Sequence, residues 1–174
     1  MATIDLIVLG MLEKESLSAY DIQKLVEYRN ISKWVKISTP SIYKKVIQLE
    51  EKGFISSHAE KDGKMPEKAV YTLTDAGRDE FERLMLEISC KPVNLFLDFN
   101  AVIVNLESMQ EEKRAECLKH IESNIVMLRE RLEENIALKQ DAPEVPITGK
   151  AVLRQQFLLV QALEEWIAAL KRDL

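Results

Sequence analysis

With 174 residues, 47% of them hydrophobic and 30% charged, the chain suffices for one ordinary domain or two small ones with a real core. No apolar run approaches the roughly 18 residues of a membrane span, and the only two cysteines, Cys90 and Cys117, do not have metal-ligand spacing. The formal charge of −5 divides almost evenly, with 13 basic and 15 acidic residues in 1–90 against 11 and 14 in 91–174, so net charge decides nothing about a polyanionic partner.

Two cysteines without a framework point to a reducing compartment and idle thiols. The N-terminus lacks the basic region, short apolar stretch and small-residue cleavage site of a secretory leader, so a cytoplasmic location is expected.

Residues 3–14 predict a helix set deep among others, because Leu6, Ile7, Leu9, Met11 and Leu12 are apolar on more than one side. Ser16 or Ser18 can cap the next helix, in which Tyr20, Ile22, Leu25 and Val26 alternate with Asp21, Gln23, Lys24 and Glu27. Residues 29–37 read as a linker that packs down through Trp34, Val35 and Ile37.

The stretch 38–55 follows. Ser38 or Thr39 can cap a helix with Pro40 just inside it. Ile42, Val46 and Leu49 recur at helical spacing as an inward stripe. Thr39, Ser41, Lys44, Lys45 and Gln48 fall mostly on the other face, and Gly53 stops the helix in the left-handed conformation that only glycine enters without strain. Between residues 28 and 49 there are five basic residues (Arg29, Lys33, Lys36, Lys44 and Lys45) and no acid. A short helix with hydroxyls and amines on its exposed N-terminal half suits a duplex major groove. A solvated helix that happens to lack acids is the plainer alternative.

After Gly53 the period changes. Residues 54–60 and 69–73 read as two strands joined by a turn at 61–64, with Lys61, Lys64 and Lys68 near the tip. Thr74 caps a further helix with acids in its first turn. Three helices, a two-stranded wing with a basic tip and another helix make a winged helix-turn-helix over 1–90, with Pro92 at its boundary. Over 91–174 the chain reads as a helical dimerisation domain. Residues 94–106 are apolar nearly all round and predict a helix enclosed by others. Residues 111–139 form a long charged helix with a seam at Leu118, Ile121, Ile125, Leu128 and Leu132. The last helix, 152–174, has more apolar width than one partner helix covers. The fold class is therefore mainly α with a small β-wing.

Ser18-Ala19-Tyr20-Asp21-Ile22, Trp34, Ser41-Ile42-Tyr43, Leu49-Glu50-x-x-Gly53-x-Ile55 and Tyr71-x-Leu73-Thr74-x-Ala76-Gly77-Arg78 stand in the order found in the PadR family of bacterial transcriptional regulators, which residues 5–85 resemble. Ala19 stands where that family usually has Gly, and Val46 replaces a common Leu. The C-terminal half is similar to the phenolic-acid repressors and the virulence-activator branch only in being helical and of the longer kind. The resemblance implies a DNA-binding regulator, a repressor at a roughly palindromic operator, that dimerises through its C-terminal helices.

On that basis Thr39, Ser41, Lys44, Lys45 and Gln48 are expected in the groove, and Lys33, Lys36, Lys61, Lys64 and Lys68 at phosphates. Tyr20 and Tyr43 match family positions where a phenol packs at the core and can turn its hydroxyl to the DNA backbone; plain core residues are the alternative. Trp34, Trp166 and the pair Phe96 and Phe99 are candidates for a pocket holding a small aromatic effector, against simple packing. No catalytic motif, cofactor site or metal-ligand set is read, His58, His120 and Cys117 included. Competing classes are a winged-helix scaffold that binds protein, and a small-molecule carrier built on the C-terminal helices.

Overall fold

The computed structural model describes residues 2–38, 40–60, 68–143 and 145–174. The chain separates into two compact units, Met1–Val93 and Asn94–Leu174.

In the first unit, helix α1 (Ala2–Leu12) buries Ile4, Val8, Leu9, Met11 and Leu12, which is why its apolar residues surround so much of its axis. Strand β1 (Leu17–Ser18) leads into helix α2 (Ala19–Tyr28). Ser18 caps α2 in a reciprocal box: the Asp21 amide donates to Ser18 Oγ at 3.2 Å, and the Ser18 amide donates to Asp21 Oδ2 at 3.3 Å. The Ser18 hydroxyl also donates to that carboxylate at 2.6 Å, and this bond, more than any other influence, holds the Asp21 pKa below the usual value.

A single 3-10 turn, Ile31–Lys33, follows left-handed Asn30 (φ 55°). Val35 and Ile37 pack on the core as the linker reading required, and Ile31 joins them, but Trp34 remains exposed. Helix α3 (Ser41–Glu51) buries Ile42, Val46 and Leu49, as their spacing predicts. Its start differs from the expected cap. Pro40 occupies the cap position rather than the first turn, no side chain caps the helix, and the Ser41 hydroxyl and amide both donate to the Ser38 carbonyl. Gly53 (φ 76°) ends α3 with its amide donating to Glu50 O at 2.8 Å and that of Phe54 to Leu49 O at 3.0 Å, a Schellman closure.

Strands β2 (Ile55–Glu60) and β3 (Lys68–Leu73) pair antiparallel from Ile55 opposite Leu73 to Glu60 opposite Lys68. The sheet has three strands in the order β1-β3-β2, because Leu17 and Ser18 pair with Tyr71 and Val70. The turn expected at 61–64 lies outside the described residues. Helix α4 (Asp75–Ser89) is capped by Thr74, whose Oγ1 accepts from the Gly77 amide at 3.1 Å.

In the second unit, the apolar run 94–106 does not form one enclosed helix. It holds a short helix, α5 (Asn100–Ile103), and a 3-10 turn at Leu106–Ser108. Only Phe99, Ile103 and Leu106, at i, i+4 and i+7, reach the second core, while Leu95, Phe96 and Val104 are exposed. A run apolar on every side cannot be covered by one helical pair. Helices α6 (Glu111–Lys139) and α7 (Ile147–Asp173) form that pair, α7 starting five residues earlier than its apolar pattern suggests. Leu118, Ile121 and Ile125 of the seam are buried, Leu132 packs at its edge, and Leu128 is exposed. Arg129 with Glu164 (2.8 Å) and Lys171 with Glu122 (2.7 Å) tie the two helices antiparallel.

Candidate nucleic-acid interface

A winged helix can read a duplex only if the second helix of its motif presents an outward face of suitable chemistry. Each residue advances an α-helix by about 100°. On α3 this sets Ile42, Val46 and Leu49 on one arc, all of them buried. Tyr43, Lys44 and Ile47 share the opposite arc and are exposed, Tyr43 by 45% and Ile47 by 53%. Ser41 and Gln48 flank this face half-buried.

Lys45 is not on it. The residue is buried, and its Nζ lies 2.8 Å from Asp5 Oδ1 on α1. The expectation that Lys45 enters the groove is therefore corrected. Lys45 falls about 40° from Leu49 and 60° from Ile42, at the edge of the inward stripe. An acid on α1 gives its charge a reason to stay inside. Ile47, not singled out from the sequence, takes the outward place. It stands four residues after Tyr43, and that spacing was the available signal.

The phenols at both family positions lie outside the core. Tyr20 at the start of α2 is 57% exposed, with Lys24 Nζ 5.5 Å from its ring centroid, a cation-π contact. Packing at the core, expected of Tyr20 and Tyr43 both from the resemblance and in the plain-core alternative, is thus corrected. Lys33, Lys36 and Lys44 are exposed and form no ion pair among the described residues. Lys68, at the start of β3, holds Asp21 Oδ2 at 3.4 Å in a half-exposed pair, which costs little to break. Thr39, Lys61 and Lys64 lie outside the described residues.

Of the candidate effector residues, Phe99 and Trp166 stack with ring centroids 5.5 Å apart and planes at 23°, both half-buried on the second core. Phe96 is 87% exposed and does not join that core. Neither Phe99 nor Trp166 lines the cavity of about 540 Å³ near the turn between α6 and α7, whose walls include Ile136, Leu153, Phe157 and Arg154. No group of three or more His, Cys, Asp or Glu able to hold a metal occurs among the described residues, and none of their helices is long and apolar enough to cross a membrane.

Residues 8–83, from α1 into α4, match the transcriptional regulator PadR-like family. The chain is 25% identical to the negative transcriptional regulator PadR of Bacillus subtilis (strain 168), over 99% of this chain and all of that one. Its fold is similar to that of Bacillus subtilis PadR in complex with operator DNA (TM-score 0.83, 19% identity, 97% of this chain and 96% of that one). It is also similar to that of Bacillus subtilis PadR in complex with p-coumaric acid (TM-score 0.78, 18% identity, 96% and 92%).

Proposed function

We propose that this chain, whose residues 8–83 belong to the PadR-like family of transcriptional regulators, is a DNA-binding repressor that acts as a homodimer on a roughly palindromic operator. The observation that carries this reading is the outward face of α3. Tyr43, Lys44 and Ile47 stand exposed on a helix whose back is held in the core by Ile42, Val46 and Leu49. Such a face offers an amine, a phenol and an apolar surface for base edges and thymine methyls, on a helix that cannot swivel freely. Lys33 and Lys36 add positive charge beside it, where contacts to phosphates supply affinity without sequence preference.

The negative sign of regulation follows the naming of the Bacillus subtilis relative. Dimerisation is supported by Leu95, Phe96, Val104 and Leu158, large apolar side chains that a single chain leaves exposed on the second unit. The two winged helices of a dimer then address two half-sites related by its two-fold axis. A small aromatic molecule is the expected effector class, given the Bacillus subtilis protein's complex with p-coumaric acid. In this chain the stacked Phe99 and Trp166 are the aromatic surface it would meet. A cytoplasmic regulator with no catalytic role fits all of these features.

Fluorescence anisotropy on duplexes from the DNA upstream of the encoding gene tests the reading. Binding should weaken steeply with salt, log K falling by about 0.9 per phosphate neutralised for each decade of salt. A flat anisotropy trace at low salt would remove the DNA-binding function and favour a scaffold that binds protein.

A further inference from the structure

We propose that Asp5 and Lys45 are positioning residues for DNA recognition, their buried ion pair pinning the rotation of α3 on α1 and so choosing which side chains α3 shows to a duplex. This rests on the DNA-binding reading above. Lys45 Nζ and Asp5 Oδ1 are 2.8 Å apart, with side chains 9% and 13% exposed. Among the described residues Asp5 Oδ1 accepts no hydrogen bond, so the ammonium is what balances its charge.

The apolar contacts of α3 limit its rotation but do not by themselves single out one outward face. Ile42, Val46 and Leu49 gain from burial against any apolar neighbour, and burial is non-directional. An ion pair out of water behaves differently, because parting the charges leaves both uncompensated. Position on the helix turns this into a choice between two faces. Lys45 sits at the edge of the buried arc, beside half-buried Ser41 and Gln48. A roll of about 60° that released Lys45 to water would carry Tyr43 toward the core and turn Ser41 and Gln48 outward. One face would be Tyr43, Lys44 and Ile47; the other Ser41, Lys44, Lys45 and Gln48. Asp5, contributed by a different helix, favours the first. A buried ion pair adds little net stability compared with apolar residues of similar size, so its effect falls on specificity.

The test compares wild type with Asp5→Leu/Lys45→Met, which keeps the volume buried, and with Asp5→Glu, which keeps the charge but displaces the carboxylate by one methylene. Each is titrated with an upstream duplex that the wild type binds and with a scrambled duplex, at several salt concentrations. Hydrogen exchange of the α3 amides is followed without DNA, alongside thermal unfolding. The double variant should unfold cooperatively within several degrees of wild type and keep its salt slope. Its discrimination between the duplexes should fall about tenfold or more, and its α3 amides should exchange faster. Asp5→Glu should lose about threefold in discrimination, and it decides the matter alone if the double variant does not fold. Unchanged discrimination in a folded variant overturns the proposal. So does a salt slope reduced by about one phosphate in the double variant, since Lys45 would then be a DNA contact. If the wild type binds no duplex, the regulator reading fails, and the α3 exchange rates still decide whether the pair pins the helix.

Discussion

The α-carbon of Gly77 lies directly against the carbonyl of Phe54: a β-carbon there would stand 1.9 Å from Phe54 O and 2.7 Å from Leu73 Cδ1. That carbonyl is not free to retreat, because it accepts the Thr74 amide at 3.1 Å. Thr74 in turn donates its hydroxyl to Gly53 O at 2.7 Å, so the end of α3 and the start of α4 are held as one joint. Alanine at 77 would gain about 1 kcal/mol of helix propensity and lose more to the clash. Gly77→Ala should therefore destabilise the first unit by a net ~2 kcal/mol, read as a drop of roughly 8–16 °C in its thermal unfolding. A rise in Tm would show that the joint can open.

Gly53 makes the opposite case. Nothing lies within 4 Å of a β-carbon added there, and its φ of 76° is the whole constraint. Gly53→Ala should cost about 1–2 kcal/mol from the left-handed backbone alone. Gly53→Asn should recover part of it, since Asn tolerates that conformation better than Ala. Equal losses for the two variants in denaturant unfolding would count against this account.

Lys44 and Lys36 are exposed and outside any ion pair among the described residues. If either meets a phosphate, its change to Ala should weaken binding to operator and scrambled duplex alike and reduce the salt slope by about 0.9. Tyr43→Ala and Ile47→Ala should instead lower operator affinity selectively, by about 1–3 kcal/mol if each serves base readout. Salt-dependent anisotropy separates the two outcomes; a Lys44→Ala protein with the wild-type slope would place this lysine elsewhere than at the phosphates.

The Ser18 hydroxyl keeps the Asp21 carboxyl below its ordinary value of 3.8. A carboxyl depressed in the folded state contributes stability above its unfolded pKa, and that contribution disappears as pH falls through the lowered folded value. Ser18→Ala should raise the Asp21 pKa. The stability gap between wild type and variant should be largest from about pH 5 upward and shrink as the pH falls through the window below 3.8. Thermal unfolding at stepped pH, with an NMR titration of Asp21, measures both; a gap that widens in acid contradicts the assignment.

Trp166 stacks on Phe99, so its emission reports on that contact. Titration with phenolic acids should change it and weaken operator binding together if the effector lodges there, with Trp166→Phe losing the emission response. A ligand regulates only through unequal affinity for the DNA-competent and DNA-incompetent forms. Sedimentation of the full chain at micromolar concentration should give a dimer. A ligand that alters DNA affinity while Trp166 emission stays constant would move the effector site away from this pair.

Local chemistry made much of this protein legible in its sequence. Gly53 ends α3 because φ 76° is a property of the single residue, and Thr74 and Ser18 cap their helices through neighbours three positions away. The stripe Ile42, Val46 and Leu49 needs no knowledge of its partner, since an apolar arc is buried by whatever covers it. The same local signals gave the order of the winged helix, and they carry the PadR-like likeness. What lay beyond reach depends on partners distant along the chain. The two-residue strand β1 exists because Leu17 and Ser18 meet Tyr71 and Val70. Leu95, Phe96 and Val104 are as apolar as core residues, yet only the α6–α7 pair decides that they find no place in a single chain. Lys45 differs from Lys44 in nothing but one step of helix. Its burial was decided by Asp5, forty residues earlier, because a charge remains out of water only where an opposite charge has been brought to meet it.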